Sequence, residues 1–439
     1  DPSEPVSPIA DEARRLGHDD PLHAFDTKVG GSGVGVVQHS DGSVTLLGAL
    51  DPGAHVQPQG LMLSGSAEGE PIDWVVLRGD EESVWSQYAS LLVSRFGRRR
   101  ADKVRVWCSW YSFYEDVSHA QMDEVLSGLD GLPFDVVQVD DGWEASVGDW
   151  QPNEKFPSGM ATMAERIRGS GFTPGLWLAP LIAQSTSRLA TERSDLLLHN
   201  EAGEPVVAGI NWGSPYYALD PTADATLEYL AELMTEVRSW GYDYLKLDFL
   251  YAGAFPGAHA NPMPREVAYR EACRVMRDAA SDDCYLLACG APIMASLGIF
   301  DGIRIGPDVA EVWEVPELAE LGDESGRGAG NALATSINRL WLRDVIDVDP
   351  DVIYFRDDTD LDDRTLAALK DLATVARFVG VSDPPNLLNA AHRNELERML
   401  LADPSIEQPG RYRWDIGGRT VDFSWILANG GRFEAEVRG

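Results

Sequence analysis

Residues Thr226–Gly290 read TLEYLAELMTEVRSWGYDYLKLDFLYAGAFPGAHANPMPREVAYREACRVMRDAASDDCYLLACG, and this stretch decides the fold. Thr226–Trp240 and Arg265–Ala280 each repeat apolar residues at the three-and-four spacing that gives a helix one buried face. YLKLDF (Tyr244–Phe249) and YLLACG (Tyr285–Gly290) are dense apolar runs of strand length. Helix, strand, helix, strand at this pitch implies parallel strands, because a parallel pair needs a long crossover and a helix is its usual form.

The same alternation extends outward in both directions. VRVWCSW (Val104–Trp110), DVVQVDD (Asp135–Asp141) and PGLWLAP (Pro174–Pro180) precede the stretch. GIRIGPD (Gly302–Asp308), VIYF (Val352–Phe355) and FVGVSD (Phe378–Asp383) follow it, with a further helix candidate at Leu361–Arg377. Eight such strands predict an α/β protein of the (β/α)8 TIM-barrel type, with an open doubly wound sheet as the alternative. The predicted catalytic barrel covers residues 97–403. Residues 1–96 read as a small N-terminal β-rich cap, with a hairpin of Val34–Gln38 and Ser43–Leu47 across Ser40-Asp41-Gly42. A connector helix ends the cap over Glu82–Phe96, with Val84, Tyr88, Leu91, Leu92 and Phe96 at helical spacing. Residues 404–439 read as the start of a short C-terminal β unit, RYRW and TVDFSWIL on either side of Gly417-Gly418.

Composition narrows the partners. With 36 Lys and Arg against 71 Asp and Glu, a formal charge of −35 repels phosphate backbones and anionic membranes, so neither nucleic acid nor membrane is expected as a partner. A homo-oligomer is compatible with the sequence. Cys108, Cys273, Cys284 and Cys289 form no Cys-x-x-Cys pair, which suits a reducing cytoplasmic compartment without requiring one. The chain starts at Asp1 without a leader-like stretch, and localisation stays open.

In a barrel the chemistry lies at the carboxyl ends of the strands. There the chain carries Asp140-Asp141-Gly142-Trp143 after the second run, Lys246-Leu247-Asp248 on the fourth and Arg304 to Asp308 on the sixth. Separate carboxylates on neighbouring strand ends are what glycoside cleavage needs. The plainer readings are a barrel-mouth salt bridge for Lys246 and Asp248, a bare turn at Asp308 and turn aspartates at Asp140 and Asp141.

Taken together and in order, CSWY (Cys108–Tyr111), VDDGW (Val139–Trp143), YLKLDFLYAGA (Tyr244–Ala254) and RIGPDVA (Arg304–Ala310) resemble glycoside hydrolase family 36, the α-galactosidase family, over roughly Glu82–Asp383. The resemblance implies exo-acting hydrolysis of terminal α-D-galactosyl residues of oligosaccharides by double displacement, with a small carbohydrate as substrate and neither cofactor nor metal. It implies Asp248 as nucleophile and Asp308 as acid/base. Asp140 and Asp141 would bind the sugar 4- and 6-hydroxyls, and Trp143 or Trp177 would pack on the ring's apolar face. Trp110, Lys246, Cys289 and Arg304 would line the same site. Lys246, two residues from Asp248 on one strand, is expected to share its side and favour its charged form. Partial burial and the charge of Asp248 are expected to keep Asp308 protonated until the nucleophile becomes an ester. Transfer to another sugar, preference for α-N-acetylgalactosaminides or α-glucosides, and sugar binding without catalysis are the competing functions.

Other signals point away. Gly31-Ser32-Gly33-Val34-Gly35 has Val36 where a dinucleotide loop needs its third glycine. Asp347, Asp349 and Asp351 copy the start of a calcium loop, but Val352 replaces the required glycine and Asp358 the terminal glutamate, so the segment reads as an acidic loop entering the seventh strand. The histidines form no zinc pattern, and neither a Gly-x-Ser-x-Gly elbow nor a P-loop is present.

Overall fold

The structure, a computed structural model, describes residues 31–59, 62–67, 69, 71–99, 103–315 and 327–428, together with the backbone of Pro5–Val6. The rest of the predicted cap before residue 31, and the end of the predicted C-terminal unit after residue 428, lie outside the described residues.

All eight predicted runs form parallel strands around one core: β1 (Val104–Cys108), β2 (Val136–Val139), β3 (Thr173–Leu178), β4 (Tyr244–Leu247), β5 (Tyr285–Ala288), β6 (Gly302–Arg304), β7 (Asp347–Asp349 with Val352–Ile353) and β8 (Phe378–Val381). Each pairs with its sequence neighbour, and β8 returns to β1 with Phe378 opposite Val104 and Val381 opposite Trp107. The two halves of β7 sit at opposite ends of the hydrogen-bonded order, the first on β6 and the second on β8. Only Pro350 and Asp351 separate them, so the sheet's ends meet and the barrel closes; the open-sheet alternative fails. The expected acidic loop is itself the first half of β7. Proline has no N–H for the ladder and Asp351 stands at φ +80°, which is why the strand breaks there.

Strands β2, β4, β5 and β8 are buried along their whole length, as strands enclosed by a helix ring must be. The ring includes the predicted helices at Asp224–Ser239, Arg265–Ala280 and Asp363–Ala376. The loop after β2 forms a two-stranded ribbon, and the chain between β3 and β4 adds an antiparallel excursion of Ile182–Gln184, Val207–Asn211 and Ser214–Ala218.

The cap hairpin runs with Gln38 opposite Val44, and Gly42 takes the left-handed turn position. Its connector helix, Glu81–Phe96, is capped by Asp80 and docks on the barrel wall through Trp85 stacked on Trp341, ring centres 4.6 Å apart. Leu91 faces solvent on that helix, whereas Val84, Tyr88 and Leu92 are buried. The C-terminal segment forms three antiparallel strands, Ile406–Gly410, Arg413–Ile416 and Arg419–Asp422, and then turns helical over Ser424–Ala428 where a strand was expected.

Candidate active site

The barrel mouth gathers polar side chains from most of its strands, and they fall into two groups. The first is centred on Asp140, which follows β2 and is 1% exposed. Its Oδ2 accepts from Lys246 Nζ at 3.0 Å, from Cys108 Sγ at 3.2 Å and from Gln138 Nε2, while Oδ1 accepts the Asp141 N–H at 3.0 Å. Burial alone would lower the Lys246 ammonium, but the Asp140 carboxylate outweighs it and holds Lys246 well above the usual lysine range. The expected attraction between Lys246 and Asp248 is present but secondary: the ammonium's hydrogen bond goes to Asp140, and the Asp248 charge adds a smaller pull on it.

Asp248 is held by N–H donors instead. Trp177 Nε1 donates to its Oδ2 at 3.1 Å and the Phe249 N–H to its Oδ1 at 2.7 Å, with Phe249 in the left-handed region at φ +53°. Trp177 lies opposite Lys246 in the strand register, which brings its indole to the end of β4. Cys289, just beyond β5, is a buried thiol; burial first, then the Asp248 charge, push it well above the usual thiol range.

Neither tryptophan expected on the sugar's apolar face offers one. Trp143 is fully buried among Trp150 and Trp240 with its indole N–H donated to the Trp177 carbonyl at 3.0 Å, and Trp177 is 1% exposed with its N–H on Asp248. Large aromatic rings fill this part of the core, so the motif's tryptophan is structural. Trp110, partly exposed in the short helix after β1, meets Tyr114 edge-on at 5.2 Å.

Two residues that the sequence did not single out act on Asp141. Trp212, at the tip of the excursion hairpin with φ +51°, donates Nε1 to Asp141 Oδ2 at 2.9 Å. Its ring packs with Tyr216 and Phe249, and Gln184 Nε2 fixes its carbonyl at 3.1 Å. Glu144, also buried, accepts the Gly142 N–H at 3.3 Å. Burial foremost, then the neighbouring Glu144 carboxyl, push Asp141 well above the usual carboxylate range, and burial raises Glu144 as well. No sequence pattern pointed to Trp212, because the excursion between β3 and β4 carries no motif of its own.

The second group surrounds Arg304 on β6. Its Nε donates to Asp349 Oδ2 at 2.9 Å, its register partner on β7, and its Nη1 lies 3.1 Å from Asp351 Oδ2 and 3.2 Å from Asp308 Oδ1. Burial would lower the guanidinium, but Asp349 and Asp351 hold it well above its ordinary value. Asp308 has a side chain 45% exposed and this cationic partner, which differs from the partial burial beside a bare negative charge expected of it. Burial raises Asp351 to about 6 against the pull of Arg304. The alternation Asp347, Asp349, Asp351 was the available signal for this group, since period two puts such residues on one side of a strand.

Comparison with known proteins places this site in context. The sequence profile of the Melibiase family matches residues 83–271. An α-galactosidase from Thermus thermophilus, solved with p-nitrophenyl α-D-galactopyranoside and with stachyose, is 43% identical and superposes with a TM-score of 0.88 over 97% of this chain and 88% of that one. An α-galactosidase from Lactobacillus acidophilus is 26% identical over 149 residues, 32% of this chain and 20% of that protein. A blood-group A galactosaminidase from Flavonifractor plautii is 27% identical over 174 residues, 36% of this chain and 16% of that protein. The chain thus matches about a fifth of the length of these two curated relatives.

Proposed function

The chain belongs to the melibiase family of α-galactosidases, glycoside hydrolase family 36, and from that premise we propose that it is a retaining, exo-acting α-galactosidase with Asp248 as nucleophile and Asp308 as acid/base. The observation that carries the reading is the contrast between the two carboxyls. Asp248 is fixed by two N–H donors, which hold its carboxyl in place for attack as a nucleophile requires. Asp308 is half-exposed at the rim on an arginine that other carboxylates already share, where a leaving group can reach it.

Asp248 attacks the anomeric carbon as the glycosidic C–O bond breaks, and Asp308 gives its proton to the departing oxygen. Water then attacks the same carbon, Asp308 takes its proton, and the ester bond to Asp248 breaks. The buried Asp140–Lys246 pair and the Asp141 clamp supply fixed donors and acceptors for the sugar hydroxyls, and the galactose preference rests on them. Comparing kcat/KM across aryl α-galactosides, α-glucosides and α-N-acetylgalactosaminides tests this. The galactoside is expected to lead, and a clear preference for either competitor overturns the specificity. Transfer products outweighing free galactose at high acceptor concentration would make the enzyme a transglycosylase.

A further inference from the structure

Asp351 lies in the segment that the sequence presents as an acidic loop, yet its backbone and both carboxylate oxygens are fixed in the barrel. It occupies the break in β7 at φ +80°, a left-handed conformation that a non-glycine residue holds only when its surroundings enforce it. Its side chain is wholly buried. Oδ1 accepts the Val352 N–H at 2.8 Å, and its own N–H goes to Asp349 Oδ1 at 2.8 Å. Oδ2 accepts from the Tyr111 hydroxyl and from the Val309 N–H at 2.8 Å, and faces Arg304 Nη1 at 3.1 Å.

Two of these contacts lead to Asp308. Val309 is the next residue along the chain, so its N–H anchors the backbone that carries Asp308. Arg304 Nη1 also bonds Asp308 Oδ1 at 3.2 Å, so one guanidinium nitrogen joins the two carboxyls. We propose that Asp351 is a positioning residue for the acid/base: it fixes the Asp308 backbone through Val309 and, with Asp349, takes up the Arg304 charge that would otherwise fall on Asp308. The proposal rests on the assignment of Asp308 given above. If the Asp351 charge is removed, Arg304 turns more of its charge on Asp308 and favours its ionised form. An ionised Asp308 cannot protonate a leaving group, though it can still activate water.

That asymmetry gives a test that a merely structural role would not satisfy. Asp351→Asn keeps the shape, and asparagine tolerates left-handed backbone well. Its kcat/KM should be compared with wild type on raffinose, a poor leaving group, and on α-galactosyl fluoride, which needs no acid. The loss on raffinose should exceed the loss on the fluoride by about tenfold or more. Asp308→Ala in the same assay sets the full leaving-group sensitivity. If Asp308→Ala is sensitive and Asp351→Asn loses equally on both substrates, the proposal fails alone. If Asp308→Ala is itself insensitive, the acid/base assignment fails and takes this proposal with it. Should Asp351→Asn not fold, Tyr111→Phe removes one donor from Asp351 and should shift the same ratio in the same direction by about threefold; an unchanged ratio there overturns the proposal.

Discussion

The two sides of the barrel mouth solve the same electrostatic problem differently. On the β2–β4 side Lys246 is matched to Asp140 by a direct hydrogen bond, and Asp248 is held by neutral N–H groups. On the β6–β7 side a single guanidinium serves Asp308, Asp349 and Asp351. The carboxyl of Asp308, on the shared cation, stands half-exposed at the rim, where a leaving group or water can reach it. The difference teaches that acids gathered at one barrel mouth can be held in two ways, by donors of their own or by a shared cation.

Removing each carboxyl tests the contrast most severely. Asp248→Ala should lower turnover of every α-galactoside by at least about four orders of magnitude, whatever the leaving group. Asp308→Ala should lose roughly 10²–10⁴-fold on substrates with poor leaving groups and much less on nitrophenyl galactoside. Azide should then accelerate Asp308→Ala on the activated substrate and yield α-galactosyl azide, because azide attacks the glycosyl-enzyme without a base. Equal leaving-group dependence in the two variants would erase the distinction between the sides.

Breaking the dedicated pairing should cost stability. Lys246→Met leaves Asp140 buried without its cation, and a loss of about 3–5 kcal/mol in urea unfolding is expected. A change under about 1 kcal/mol would mean the pair behaves like a surface ion pair.

Another dedicated pairing ties the excursion after β3 to the loop after β4. Asp220 Oδ1 meets His259 Nδ1 at 2.9 Å, and its oxygens also accept from the Ala260 N–H and from Thr222. Burial would raise this carboxyl, but the hydrogen bonds outweigh it and hold it at about 2, below the 3.8 of an unfolded chain. A depressed carboxyl stabilises the fold above pH 3.8, and that stability is lost as pH falls through about 2. Asp220→Asn should thus be less stable than wild type by about 2 kcal/mol at pH 5. The gap should narrow as the pH is lowered toward 3, and a gap independent of pH would contradict the assignment.

The smallest effect is expected at the hairpin tip. Trp212→Phe preserves the ring cluster while removing the N–H to Asp141, so KM for nitrophenyl α-galactoside should rise about tenfold with kcat less affected. An effect on kcat alone would place Trp212 in the chemistry and not in the clamp.

The barrel was legible because every strand announces itself as a short apolar run, and the predicted helix Arg265–Ala280 matches the observed one end to end. Asp140, Lys246, Asp248, Arg304 and Asp308 were legible because they stand at strand ends where the fold puts its chemistry. What the sequence hid was partnership. Spacing along β4 put Lys246 and Asp248 on one side, but only the pairing of β3 with both β2 and β4 brings Asp140 to 3.0 Å from that ammonium. Trp143 looked like a sugar platform because an exposed and a buried tryptophan have the same letter. Asp349 and Asp351 looked like loop acids because Pro350 interrupts the strand that carries them. Trp212 reaches the site from residues far along the chain, on an excursion whose fold is set by tertiary contacts.

The central claim is that Asp248 forms a covalent bond to the sugar, and the anomeric form released first reports on it directly. Proton NMR of nitrophenyl α-galactoside hydrolysis, recorded before mutarotation, should show α-galactose as the first product, since two successive inversions restore the starting configuration. β-Galactose appearing first would mean a single displacement by water, and Asp248 would then be a base and not a nucleophile.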